Sequence, residues 1–207
     1  MNRKTAIKWI AKPCIILLSI TPLLLLGWDF LQDQLSANPI SDVTKTTGIW
    51  ALRFLVITLT VTPFVKITGW GWLAQFRRMI GVFAFFYALL HFSTYLVLDQ
   101  FFDWDSIVAD IKKRPFITIG FASFVLLIPL AITSFNKMIK WLGSKRWTAL
   151  HRLVYFIAIG GVIHYLWLVK ADKQRPIIYG AIVLTLLGIR LFYYFKKQSH
   201  QKKTLQQ

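Results

Sequence analysis

The chain contains no glutamate. Its only acids are eight aspartates, set against 25 lysines and arginines. There is a single cysteine, Cys14, so no intrachain disulfide can form and a cysteine-rich metal cluster is excluded. Charged residues make up 16% of the sequence, well under the roughly 25% of an average soluble domain. A formal charge of +17 in a soluble chain would point to nucleic acid. Here no basic segment interleaved with aromatics carries that reading, and nucleic acid is not an expected partner. The basic excess fits loops that face anionic lipid.

What the sequence does have is apolar length. Hydrophobic residues account for 56% of the 207 positions. They fall into six blocks of about 17 to 20 residues, and a bilayer crossing needs about 20. A soluble domain of this size has no interior that could bury six such helices on all sides. The expected fold is therefore all-α: a polytopic membrane bundle of six transmembrane helices. The spans are expected at about 9–28, 49–65, 79–98, 116–134, 150–169 and 177–195. The first reads as an uncleaved helix. Only Ser36–Ala37–Asn38 offers a weak cleavage site. Pro22, Pro63 and Pro129 lie in or near spans, where kinks are tolerated.

Six crossings put both ends on one side. With Lys12 counted in the N-terminal segment, fifteen lysines and arginines fall on the side of the termini and seven on the other. The positive-inside rule then places both termini in the cytoplasm. All eight aspartates fall on the opposite side. Trp9, Trp28, Trp50, Trp70, Trp72, Trp141, Trp147 and Trp167 lie near the expected span ends, as an interfacial belt does.

Ionisable residues inside spans are costly and usually functional. The candidates are His91, His151, His164, Arg53, Arg152 and Arg190. His200 sits in a basic tail and is given no role. His91 and His164 lie in the outer halves of two spans that run the same way, so they can face each other at one depth. His151 is 13 residues before His164, about 20 Å along a helix. That is too far for one small metal site, but it suits two large planar cofactors stacked across the bilayer. Imidazole ligates haem iron. His91 and His164 are thus candidates to clamp an outer haem, and His151 to hold an inner one. Arg77 falls on roughly the His91 face of its helix and can approach the inner haem as a propionate partner or axial neighbour. On an ideal helix His151 and His164 point roughly 140° apart. Gly160 and Gly161 are expected to bend the helix and change that phase, and Gly81 and Gly120 to allow close approach elsewhere. From the residues alone, interhelical hydrogen bonding and a proton or substrate relay stay open beside haem ligation. Arg53 and Arg190 are expected to snorkel near span ends or to bind an anion, and Arg152 likewise. Cys14 reads as a small buried side chain.

Five strings then carry a resemblance: Arg77–Arg78–Met79–Ile80–Gly81, Leu90–His91–Phe92–Ser93–Thr94–Tyr95, Lys113 to Gly120, Leu142 to His151, and His164–Tyr165–Leu166–Trp167. Each alone is weak. Together, in this order, they resemble the MsrQ (formerly YedZ) family, the haem-binding membrane subunits of the bacterial periplasmic methionine sulfoxide reductase system. That family lies within the wider ferric-reductase-like transmembrane group. The resemblance covers about residues 9–196 and implies a single domain over 1–207 in the bacterial inner membrane. It implies a b-type cytochrome, with haem b at two sites, held by His91, His164 and His151 with Arg77. It implies electrons drawn from membrane quinol and delivered to a periplasmic molybdenum-cofactor enzyme that reduces methionine sulfoxide in oxidised envelope proteins. It further implies bound FMN and a cytosolic flavin reductase as another donor. The chain has no Gly-rich dinucleotide loop and no cysteine arrangement for methionine sulfoxide chemistry. It is therefore expected to be an electron-transfer subunit whose substrate-reducing centre sits on a partner. The loop at 99–114, with Asp99, Asp103, Asp105 and Asp110, is the expected docking surface. Two other classes remain: a transmembrane reductase of metal ions or oxygen, and a haem-free transporter or scaffold.

Overall fold

A computed structural model describes residue 5 and residues 7–204, without the side chains of residues 8, 197 and 200–204. Arg3 and Lys4, part of the charge count above, lie outside the described residues, as do the side chains of Lys8, Lys197, Lys202 and Lys203. Among the described residues there is no strand, and six helices are long and apolar enough to cross a membrane. They span Trp9–Leu31, Pro39–Thr68, Gly71–Asp99, Pro115–Ile132, Ser144–Leu168 and Gln174–Lys196.

In chain order the α-helices are α1 (Lys12–Leu31), α2 (Pro39–Thr68), α3 (Arg77–Ser93), α4 (Trp104–Lys113), α5 (Pro115–Ile132), α6 (Asn136–Leu142), α7 (Ser144–His151), α8 (Leu153–Leu168) and α9 (Gln174–Thr204). A π-helical turn, Ile7–Ala11, leads into α1. A 3-10 segment, Gly71–Phe76, leads into α3, and a π-helical stretch, Thr94–Asp99, extends it.

Local chemistry sets the ends. Proline opens α1, α2 and α5, where its missing N–H costs nothing. The Asn38 side chain accepts the Ser41 N–H at 3.1 Å and caps α2. Gly69, at φ 74°, closes α2 in the left-handed conformation. This capping explains why the second span is 30 residues long rather than the 17 expected. Its first ten residues include six polar ones, Ser41, Asp42, Thr44, Lys45, Thr46 and Thr47, yet are helical. Arg53 consequently sits near mid-helix, not at a span end. The fifth span also differs from expectation. Its helix runs through Gly160 and Gly161 unbroken and is interrupted at Arg152, between α7 and α8. Gly160 instead admits the Ser123 hydroxyl of α5, and Gly161 packs on Leu52 of α2.

The bundle centres on α2, α3, α5 and α8. Helix α2 packs along α3, α5 along α8, and α9 leans on α8 and α2. Ala51, Phe54, Leu55, Ile80, Ala84, Tyr87, Leu127 and Ile157 interlock in the middle. Lipid is as apolar as these side chains, so packing and interhelical hydrogen bonds hold the helices together. One such bond is Tyr87 Oη–H to the Ser19 carbonyl at 2.8 Å, which pins α1 to α3. Otherwise α1 is peripheral, with only Ser19, Pro22 and Leu26 buried. Cys14 is exposed on it, not buried as the sequence suggested. Cys14 lies on the side of this span that faces away from the other helices, toward lipid.

Candidate functional site

The structure brings His91 and His164 together. Their ring centres are 6.0 Å apart with planes at 77°. His91 Nδ1 lies 2.9 Å from the Thr44 carbonyl of α2. His164 Nδ1 lies 2.6 Å from the Phe116 carbonyl of α5. A carbonyl only accepts, so each Nδ1 carries the proton and each Nε2 keeps its lone pair. That second-atom anchoring is how metal-binding histidines are oriented.

Each anchor depends on a glycine four residues further on. In a helix the carbonyl of residue i points toward residue i+4. Thr44 is followed in this way by Gly48, and Phe116 by Gly120. A Cβ on Gly48 would come within 2.9 Å of the His91 ring, and one on Gly120 within 2.6 Å of His164 Nδ1. The bare backbone lets each imidazole reach the carbonyl beneath it. Four helices thus contribute one residue each: histidines from α3 and α8, glycines from α2 and α5. The sequence reading named Gly120 but missed Gly48. The findable signal was a glycine on a neighbouring span at the depth of a histidine.

The ring spacing fits one metal between two imidazoles. Metal–nitrogen bonds are about 2 Å and the ring centre lies roughly 1 Å beyond the nitrogen, so opposed rings sit about 6 Å apart. Among the described residues no group of three or more His, Cys or Asp side chains could hold a metal ion. Two imidazoles alone suit an iron that brings its equatorial ligands with it, as haem does.

Toward the end of the bundle that carries the termini lies a second site. A cavity of about 330 Å³ is lined by Arg77, Arg78, Arg152, Arg190 and His151 among others. Arg77 and His151 therefore do meet, as expected. The His151 ring stacks on Trp147, with centres 3.9 Å apart. Its Nε2 lies 3.0 Å from the Thr133 hydroxyl. That hydroxyl already donates to the Pro129 carbonyl at 2.6 Å. It therefore accepts from His151 Nε2–H, which leaves the lone pair on Nδ1. Trp147 donates to the Thr133 carbonyl at 2.8 Å. Trp50 lies under the Arg53 guanidinium at 4.5 Å.

Arg53, Arg77 and Arg190 find their partners inside the bundle, while Arg152 is exposed. Arg53 Nε donates to Tyr179 Oη at 3.1 Å. Arg190 donates to Tyr155 Oη at 2.9 Å and to the Leu59 carbonyl at 2.6 Å. Arg77 donates to the Thr62 hydroxyl at 3.0 Å.

At the opposite end, the 99–114 loop is less polar than expected. Phe101, Phe102 and Trp104 are exposed, and both phenylalanines take left-handed backbone, at φ 48° and 61°, a conformation rare for bulky residues. Its acids are unequally free. Asp110 pairs with Arg114 at 3.2 Å and accepts from Tyr95 Oη at 3.3 Å. Asp103 caps α4 through Ser106, whose hydroxyl and N–H hold that carboxyl below the usual carboxylate range. Asp99 accepts from Gln100. Asp105 makes no side-chain contact with another described residue.

Comparison with known proteins is consistent with this geometry. The family of ferric reductase like transmembrane components matches residues 47–162, from the second span into the fifth. The chain is similar to proteins named protein-methionine-sulfoxide reductase heme-binding subunit MsrQ. That of Herminiimonas arsenicoxydans is 56% identical, over 82% of this chain and 78% of the relative. That of Azospira oryzae is 51% identical, over 87% and 78%. That of Rhodospirillum rubrum is 49% identical, over 83% of each. No solved structure matches the chain.

Proposed function

The chain belongs to the MsrQ family of ferric-reductase-like transmembrane proteins, and from that premise we propose that it is a b-type cytochrome serving methionine sulfoxide repair. It is a multi-pass protein of the bacterial inner membrane. In this reading it conducts electrons from membrane quinol, or from bound FMN supplied by a cytosolic flavin reductase. Their destination is a periplasmic molybdenum-cofactor methionine sulfoxide reductase. Both termini face the cytoplasm, and residues 1–207 act as one haem-binding domain.

The observation that carries the reading is the pair of Nε2 lone pairs of His91 and His164, each set by a backbone carbonyl with ring centres 6.0 Å apart. These two side chains would hold the outer haem. His151, through Nδ1, and Arg77 would serve the inner one. Haem supplies one-electron transfer when bound. The chain's own part is to present the ligands, exclude water with the aromatic layer of Phe85, Phe92 and Phe124, and fix the imidazole protons on the atoms named above. The exposed Asp105 and the aromatic 99–104 turn form the docking surface for the periplasmic partner, with charge setting its orientation.

The test is a reduced-minus-oxidised spectrum of the detergent-purified protein with pyridine haemochrome quantification. A low-spin b-type signal with two haems per chain is expected. One haem would remove the His151 site from the proposal, and none would overturn it. The name of the matching family favours one second reading, direct reduction of a metal ion. That reading requires the reduced protein to be reoxidised by ferric chelate without a protein partner.

A further inference from the structure

The two imidazoles of the clamp are held unequally. His164 rests on one bond, from Nδ1–H to the Phe116 carbonyl at 2.6 Å. His91 sits in a closed ring of bonds between α2 and the third span. Its Nδ1–H donates to the Thr44 carbonyl at 2.9 Å. The Thr44 hydroxyl donates to the Thr94 hydroxyl at 3.0 Å. The Thr94 hydroxyl donates to the His91 carbonyl at 2.8 Å, which brings the ring back to the residue where it began.

A threonine hydroxyl that bonds back to its own helix is ordinary. Thr21, Thr58, Thr60 and Thr185 do only that. Thr94 differs, because its oxygen also accepts from another span. It is buried, where a hydroxyl without partners is costly. The ring joins α2 to the third span at both the imidazole and the hydroxyl pair. Helix α2 cannot turn or slide its carbonyl away from Nδ1 without straining the hydroxyl bridge as well. Among the described residues no such bridge backs the Phe116 carbonyl on the His164 side. A hydrogen bond from the outer nitrogen strengthens a metal-bound imidazole as a donor. Such bonds are one of the levers on a haem's potential.

We infer that Thr44 and Thr94 are positioning residues for His91: their hydroxyls hold the Thr44 carbonyl against Nδ1–H and make His91 the stronger of the two axial donors. The inference rests on the outer-haem reading above. Carbonyl and glycine decide where the imidazole points and which nitrogen carries its proton. The hydroxyl bridge decides how firmly the acceptor stays there. A firm acceptor makes a more electron-rich imidazole, which favours oxidised iron, so loss of the bridge favours reduced iron.

The experiment is a redox titration of the full-length, haem-loaded protein in detergent, with the haem-to-protein ratio measured alongside. Wild type is compared with Thr94→Val, Thr44→Val, the double variant, Thr94→Ser and Thr60→Val. The outer signal is the one that His91→Ala removes. Each single valine variant is expected to raise the outer midpoint potential at an unchanged haem ratio. The double variant is expected to shift no further than either single, because the two hydroxyls act as one unit. Thr94→Ser keeps the hydroxyl and is expected to restore the wild-type value. Thr60→Val removes a hydroxyl that reaches no other helix and is expected to change nothing. Loss of the outer haem from both valine variants, with its return in Thr94→Ser, supports the same positioning role. An unchanged or lowered midpoint in both valine variants overturns the inference, as does a serine variant that restores nothing or a double shift equal to the sum of the singles. If Thr94→Val does not fold, Thr44→Val decides, since that residue is only half-buried. A wild type without haem sinks the cytochrome reading. The bridge is then read by NMR of isotope-labelled histidine in the haem-free chain. There Thr94→Val should leave less of the proton on His91 Nδ1, and an unchanged proton position overturns the inference.

Discussion

Around His91 and His164 the anchors are main-chain carbonyls and the neighbours are glycine and phenylalanine. Around His151 and Arg77 the anchors are hydroxyls, and cationic groups outnumber their partners. The first arrangement is complete in the protein alone. Both imidazoles are oriented, and both proton positions follow from the acceptors. In the second, one imidazole is held against a tryptophan, beside an arginine cluster that no carboxylate among the described residues faces. The lesson is that the same residue type, histidine in a span, can be oriented by the backbone of neighbouring helices or by hydroxyl and aromatic side chains.

The largest effect that can break this comparison is loss of a clamp residue. His91→Ala or His164→Ala should abolish the outer haem and leave the inner signal, read by haem-to-protein ratio and difference spectrum. Unchanged spectra in both would end the pairing. His151→Ala should do the reverse, sparing the outer signal. Equal loss of both signals would mean that the two halves are not separable.

A subtler prediction sharpens the contrast. Gly120→Ala forces a methyl against the His164 ring and should cost about 1–3 kcal/mol of stability, as core overpacking does. It should also lower outer-haem content and shift its potential. Gly48→Ala should act the same way on His91 but less, since its contact is longer. Thermal unfolding and redox titration of both variants check the order, and a milder Gly120 variant would contradict it. The smallest effect belongs to the partner surface. Asp105→Asn should slow electron delivery to the periplasmic partner by about twofold at low salt and not at high salt, because exposed charge is screened within roughly 10 Å. Equal rates at low salt would remove that carboxylate from docking.

Much of the architecture was legible because apolar length is a direct consequence of bilayer thickness. Six blocks became six helices, and a shared depth predicted that His91 would meet His164. The boundaries were not legible where polar residues stay helical, as in the Asn38-capped start of α2. Nor was the break at Arg152, since nothing in local propensity distinguishes it from the glycine pair that was expected to bend. Gly48 escaped notice for a different reason. Its role exists only when a carbonyl four residues earlier faces a histidine from another helix, which is a property of three segments at once. The partners of Arg53 and Arg190 were not legible, because tyrosine hydroxyls and a free backbone carbonyl offered acceptors from other helices.

The carbonyl-and-glycine anchor has a consequence for how such a site can change or be moved. Its acceptor is backbone, which no substitution deletes, so its presence does not depend on which side chain stands at Thr44 or Phe116. What must travel together is small: two histidines on alternate helices and, facing each, one glycine placed four residues after the carbonyl it uncovers. An unrelated four-helix scaffold with matching spacing would need only those four positions to reproduce the clamp.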